Sequence, residues 1–201
     1  MKPYSEAAER NKAPILEILQ TVFTDRNAVL EIGSGTGQHA VYFASILHHL
    51  TWHATELPHN LSGLCAWCDD NPSPNLAKPM SLNVDDEPWP IPTIDAAYTA
   101  NTIHIISWPQ VCRMFFKIGK LLPTGGVFCT YGPFNRNGCY TSDSNAQFDA
   151  YLRERDPESG IRDLNNLVML AEANGLFLET DYALPANNRM LVWRKLLKFQ
   201  F

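Results

Sequence analysis

Several things are missing from this 201-residue chain, and each absence closes a class of function. No run approaches the about 20 consecutive apolar residues that a membrane-spanning helix needs. The opening Met1-Lys2-Pro3-Tyr4-Ser5-Glu6 continues into polar residues, where a secretory leader would place an apolar core. Lys and Arg number 16 against 21 acidic residues, and they are scattered. Without a basic stripe the expectation is no nucleic-acid partner. The cysteines are few and odd in number, at five (Cys65, Cys68, Cys112, Cys129, Cys139), in a chain large enough to fold without staples. Reduced thiols are expected, and with them a cytoplasmic setting with no membrane partner. Internal repeats and interdomain linkers are absent too. The net charge of −5 adds only solubility.

What remains is an ordinary globular composition, 45% hydrophobic, sized for one compact domain over residues 1–201. A first helix is expected from about Asn11 to Phe23, with Ile15, Ile18, Leu19 and Val22 on one face and Pro14 in the first turn. Asn11 then reads either as its cap or, with Arg10, as part of a lid over residues 1–25. Ala28-Val29-Leu30-Glu31-Ile32 reads as a buried strand that runs into glycines, and Ala40, Phe43, Ala44 and Leu47 have the spacing of the helix behind it.

The alternation continues. Strands are expected at Leu50–Glu56, Lys78–Asp85, Ile94–Asn101 and Gly126–Tyr131, with helices at Leu61–Asn71 and Pro109–Leu122. Such alternation implies a parallel sheet covered on both faces. After a Gly-, Asn- and Ser-rich loop over 132–145 come helices near Ala146–Arg155 and Leu164–Asn174, the second capped by Asp163 and stopped by Gly175. Leu176–Leu184 and Arg189–Lys195 are joined by Pro185-Ala186-Asn187-Asn188, short enough for a hairpin, so one late strand should run antiparallel.

The chemistry concentrates at Gly33-Ser34-Gly35-Thr36-Gly37. A strand, a glycine turn and a helix bring backbone close to a ligand, because glycine removes Cβ and the helix start offers N–H groups. A tight turn with no ligand is the alternative. Dinucleotide binding calls for Gly-x-Gly-x-x-Gly; here the third glycine comes one position early, and Gln38 takes its place. Glu31, just before the first glycine, is awkward for a pyrophosphate but suits a cationic amine. That register favours S-adenosylmethionine over NAD. Glu56 closes the second strand about 20 residues further on, where a carboxylate accepts from ribose hydroxyls. Asp85 is placed to accept from the adenine amine, with Asp86 a competitor. The three carboxylates fall at the carboxyl ends of adjacent strands, where open α/β sheets bind ligands.

These features resemble the class I S-adenosylmethionine-dependent methyltransferases. The likeness implies a Rossmann-like α/β fold: a seven-stranded, mostly parallel sheet with one antiparallel strand and helices on both faces. A narrower likeness spans nearly the whole chain. Arg10-Asn11, Leu30 through His39, His104-Ile105, Tyr131-Gly132-Pro133-Phe134, Ser144-Asn145, Gly160-Ile161-Arg162-Asp163 and Pro185 through Asn188 are similar to the methyltransferase-like protein 26 family. It implies residues 26–131 as cofactor core, 132–201 as acceptor-side elements, and Glu31, Gly33, Gly35, Gly37, Glu56, Asp85 and Asn101 as cofactor-binding. Trp52-His53-Ala54-Thr55 departs from the family's proline near Ala54, and Cys65-x-x-Cys68 is outside its pattern.

Methyl transfer from a sulfonium mainly requires alignment, and at most one proton removed. His104 is the candidate base, because imidazole titrates near neutrality; a structural histidine opening the next helix is the alternative. Asn101 is the candidate hydrogen-bonding partner. Asn101-Thr102-Ile103-His104 lacks the Asn/Asp-Pro-Pro-aromatic clamp of base-amine methyltransferases, which argues against nucleic-acid bases. The leading expectation is a small-molecule acceptor, with S-adenosylhomocysteine as product. A protein acceptor, or a module that binds the donor without catalysis, are the other readings. Tyr131, Asn145, Arg162 and Asn187 are candidate acceptor residues. Arg162 suits a carboxylate or phosphate unless it pairs with Asp163 or Asp156, and Asn187-Asn188 also suit a turn. Cys65 and Cys68 lack a second ligand pair, so no metal is expected; structural thiols on a helix fit better.

Overall fold

A computed structural model describes residues 2–196. Its sheet has seven strands in the order β3-β2-β1-β4-β5-β7-β6, where β1 is Ala28–Ile32, β2 Thr51–Glu56, β3 Met80–Ser81, β4 Ala96–Ala100, β5 Val127–Gly132, β6 Leu176–Leu184 and β7 Asn188–Lys195. β1 pairs in parallel with β2 and β4, and β2 with β3. β7 runs antiparallel to both β5 and β6. The expected α/β class, with one antiparallel strand from the late hairpin, is what the chain forms. The chain divides into two compact units, Met1–Thr99 and Ala100–Phe201.

In the first unit, α1 (Glu6–Val22) starts earlier than its apolar periodicity indicates. Ser5 is the cap, its hydroxyl accepting from Ala8 N at 3.2 Å, so Asn11 and Pro14 lie inside the helix. A cap of this kind contributes about 1 kcal/mol and needs no apolar residue near it, which is why hydrophobic spacing misses the first turn. Ile15, Leu16 and Leu19 are the buried stripe. α1 packs on α2 (Gln38–Ala44), and α2 on α3 (Leu61–Asp70). The third strand is far shorter than expected: β3 holds two residues, because the chain folds back at Asn83, whose carbonyl accepts from Asp86 N and whose N–H donates to the Asp86 carboxylate. Phe43, Trp52 and Tyr98 pack ring on ring and fill the core beside β1.

The second unit opens with a 3-10 turn over Thr102–His104 and then α4 (Trp108–Leu121). A complete capping box starts α4: Ser107 and Gln110 each bind the other's backbone N–H, and Pro109 sits in the first turn, where its missing N–H does no harm. α5 (Asp143–Arg155) is capped by Ser142, and α6 (Leu164–Ala173) by Asp163. Gly175 ends α6 at φ +73. The β6–β7 turn carries Ala186 and Asn187 in left-handed backbone, which is the turn reading of that asparagine. No helix among the described residues is long and apolar enough to cross a membrane.

Candidate functional site

In the first unit the glycine turn is braced against the end of β2. Ser34 N donates to Thr55 O at 2.8 Å, Thr55 N to Ser34 Oγ at 3.2 Å, and Thr55 Oγ1 to Glu31 O at 2.7 Å. Gly33, Gly35 and Gly37 all have positive φ, at +70, +58 and +94. Two of them serve different ends. A Cβ on Gly37 would lie 2.8 Å from Leu64 Cδ1 and 3.1 Å from Trp67 Cβ, so this glycine lets α2 seat on α3. A Cβ on Gly35 would meet nothing within 4 Å. The backbone there borders open space.

Glu56 borders the turn. Its carboxylate accepts from Gly35 N at 2.6 Å and from Leu57 N at 2.8 Å, and the side chain is only 7% exposed. The expectation of free N–H groups at the helix start is corrected in part. Gly35 N is taken by Glu56 and Gly37 N by Ser34 O, since a turn this tight satisfies its own amides.

Glu31 lies on β1, just before the turn. It is 1% exposed and accepts from Trp52 Nε1 at 2.8 Å. Burial pushes its carboxyl up to about 7; hydrogen bonds from Trp52 and Ser34 pull the other way, and the Glu56 charge adds to the rise. Asp85 is exposed beyond β3, its N–H bound to Asn83 Oδ1 at 3.0 Å.

Residues absent from the expected site fasten α1 to the turn. Gln38 Oε1 accepts from Ser5 N at 2.6 Å and from Thr36 Oγ1 at 3.0 Å. His39 bonds Asn11 Oδ1 at 2.7 Å through Nε2 and Tyr98 at 3.2 Å through Nδ1, and burial pushes its pKa down to about 4. Asn11 is therefore not the cap; it lies inside α1 and holds His39. The signal available in sequence was Gln38-His39 directly after the third glycine, two polar residues opening a helix that is otherwise apolar.

The second unit holds the other group. Asn101 stands in left-handed backbone at φ +60, its N–H donating to Tyr131 O at 2.8 Å. His104 is 1% exposed, and neither ring nitrogen has a hydrogen-bond partner among the described residues. Burial, and then the Arg162 charge, push its pKa down to about 3 against the pull of Asp149. The expectation that this imidazole titrates near neutrality is thereby corrected: desolvation keeps it neutral.

Arg162 occupies neither expected role. Nε donates to Ile103 O at 3.0 Å, and Nη2 donates to Ile106 O at 2.5 Å and Glu158 O at 2.9 Å. Gly160 N donates to His104 O at 2.9 Å and Ser159 Oγ to Ile105 O at 2.5 Å. Four successive carbonyls, 103 to 106, are thus held by one short segment. Asp149 anchors that segment by accepting from Ile161 N (2.6 Å), Arg153 Nε (2.8 Å) and Tyr140 (2.8 Å). Asp163 is a cap, accepting from Asn165 N and also from Gly138 N.

Asn145 is buried and bonds Thr141 Oγ1 at 2.9 Å and Asn187 O at 3.5 Å, while Asn187 Nδ2 reaches Ser144 Oγ at 3.3 Å. The structure therefore brings Asn145 and Asn187 together, and Asn101 beside Tyr131. All five cysteines are free thiols; burial pushes Cys68, on α3, up to about 12. Among the described residues no group of three or more His, Cys, Asp or Glu is arranged to hold a metal.

The fold is similar to that of solved methyltransferases. An O-methyltransferase family protein from Burkholderia thailandensis matches with a TM-score of 0.82 at 13% identity, over 96% of this chain and 59% of that one. Human N-acetylserotonin methyltransferase in complex with S-adenosylmethionine matches at 0.77 and 14%, over 96% and 53%. PigF with S-adenosylhomocysteine matches at 0.78 and 14%, over 93% and 56%. The chain spans little more than half the length of these proteins, and at such identity the likeness is one of fold. In sequence, residues 2–195 match the family described as "Protein of unknown function (DUF938)", and the chain belongs to that family.

Proposed function

We propose that the chain is an S-adenosylmethionine-dependent methyltransferase acting on a small-molecule acceptor, with residues 1–201 working as one methyltransferase domain. The observation that carries this reading is the open space over Gly35, bordered by the Glu56 carboxylate at 2.6 Å from Gly35 N. The residues present fit the donor. Each Glu56 oxygen retains acceptor capacity beyond its one backbone bond, enough for two sugar hydroxyls. Glu31, raised by burial, is stabilised in its ionised form by a cationic amine. Gly33, Gly35 and Asp85 join them in the proposed cofactor set of the first unit, with Gly37 seating the helix behind the turn; Asn101 is the candidate of the second unit. Two similar structures hold the donor or its product, and another, an O-methyltransferase family 2 protein, is a complex with apigenin.

When bound, the donor supplies a methyl group on a sulfonium, a good leaving group. The chain's own part is orientation. His104 and Asn101 are proposed to hold the acceptor, with Tyr131 and Asn145 beside them. Neutral His104, with no carboxylate hydrogen-bonded to it among the described residues, acts first as a hydrogen-bonding partner. Arg162 and Asn187 act through the backbone they hold. The narrower kinship with the methyltransferase-like protein 26 family and a cytoplasmic setting belong to the same proposal.

Melting curves test it. S-adenosylhomocysteine at 100 times its dissociation constant stabilises by about 2.7 kcal/mol, a shift of roughly 5–10 °C at this size. NAD should give none. A response to NAD in place of S-adenosylhomocysteine overturns the reading.

A further inference from the structure

Buried polar atoms without partners are uncommon in folded proteins, and each calls for an explanation, of which a bound group is one. His104 has two. Its ring stands edge-on to Phe148, with centroids 5.5 Å apart and planes at 81°. Its Nδ1–Cε1 edge lies over the Gly132 backbone: a Cβ there would be 3.0 Å from Cε1, 3.1 Å from Nδ1 and 3.7 Å from Asn101 Oδ1. The imidazole and the Asn101 oxygen therefore border the same spot. Phe148 is itself exposed, and an exposed side chain changes rotamer within nanoseconds.

The charges around this spot are committed. Arg162 donates both Nη2 hydrogens and its Nε hydrogen to carbonyls, so neither flat edge of the guanidinium is left to grip a carboxylate or phosphate in bidentate fashion. Arg153 is paired with Asp149, whose oxygens also take Tyr140 and Ile161 N. A neutral imidazole offers one donor and one acceptor. A hydroxyl group is both, whereas a carboxylate only accepts, an ammonium only donates, and either would be desolvated here without a counter-charge.

We infer that His104, with Asn101 beside it, binds an uncharged hydroxyl group, that of an alcohol or phenol, and discriminates against carboxylates, phosphates and alkylammonium groups. The inference rests on the methyltransferase reading only in making that hydroxyl the methyl acceptor. Its oxygen would take the methyl as the sulfonium C–S bond breaks, and the thioether would leave as S-adenosylhomocysteine. The hydroxyl proton would pass by way of the imidazole to solvent.

The experiment uses the full chain with 15N-labelled histidine and follows the imidazole nitrogens by NMR at pH 7.5. Phenol, benzoate and benzylamine serve as probes of one size and three charges, without donor or product, so that a failure to bind S-adenosylhomocysteine remains a separate result. The His104 signals are identified by their loss in His104→Phe. Should that variant not fold, replacing the other histidines one at a time assigns them by elimination. Phenol should shift the His104 nitrogens saturably, with affinity about tenfold or more above either charged probe, the discrimination expected for leaving a charge unpaired in a buried site. Equal or tighter binding of benzoate or benzylamine at His104 overturns the inference. So does a His104 signal that phenol leaves unmoved at the limit of its solubility.

Discussion

Trp52 donates its indole N–H to Glu31 across 2.8 Å, and both side chains lie at or below 1% exposure. The bond keeps a carboxyl group in the core beneath the glycine turn, where burial has raised its pKa from 4.5 to about 7. A carboxyl raised on folding contributes stability that is complete below its unfolded value and is lost as pH rises toward its folded value. That loss is about 3 kcal/mol between pH 4.5 and 7, taken from the size of the rise. Glu31→Gln keeps an acceptor for Trp52 and removes the charge. It should be more stable than the parent at pH 8, and the gain should vanish near pH 4.5. Denaturant titrations across that range check it.

His39 and His104 act in the opposite sense. Burial lowers both, to about 4 and about 3, so each contributes stability that is complete above its ordinary 6.5 and is lost as pH falls. Between pH 6.5 and 4.5 they oppose Glu31. His104→Phe should therefore unfold at lower pH than the parent in an acid titration followed by circular dichroism.

Gly35 and Gly37 should separate binding from folding. Gly37→Ala places a methyl against Leu64 and Trp67 and should destabilise by about 2 kcal/mol or more. Gly35→Ala meets no neighbour and should lose only about 1 kcal/mol for its left-handed backbone, yet it should abolish the S-adenosylhomocysteine response. Urea midpoints and ligand-induced melting shifts, run on both variants, decide the matter.

Glu56→Ala should weaken the same ligand response without large loss of stability, because Gly35 N then turns to solvent in an exposed turn. A melting shift equal to the parent's would remove Glu56 from the cofactor site.

Asp149 is the anchor in the second unit. Burial alone would raise its pKa, but Arg153, Tyr140 and Ile161 N together hold it below the usual carboxylate range. Its contribution is present above the unfolded value and lost as pH falls through the folded one. Asp149→Asn should destabilise by about 2–3 kcal/mol at pH 7. Faster amide exchange at Gly160 and Ile161 would show that the segment over 103–106 has loosened.

The alternation of apolar strands and amphipathic helices, with Gly33, Gly35 and Gly37 after the first strand, was enough to settle the α/β class and the late antiparallel hairpin. Periodicity and turn chemistry are local, and the backbone obeys them within a few residues. Local pattern failed where a side chain did the work. Ser5 began α1 ahead of its apolar stripe, and Asp86 folded Asn83 back and ended β3 early. The candidate residues of each unit were legible as residue types, but their environments were not. Glu31 and His104 look alike in sequence to any solvated acid or base near neutrality. Only the packing around them showed that one is buried against Trp52 and the other left without a partner, since desolvation depends on what the rest of the chain places nearby. Arg162 carries the same lesson: its charge was visible in the sequence, while the carbonyls that claim it, from residues 103 and 106, are brought to it only by the fold.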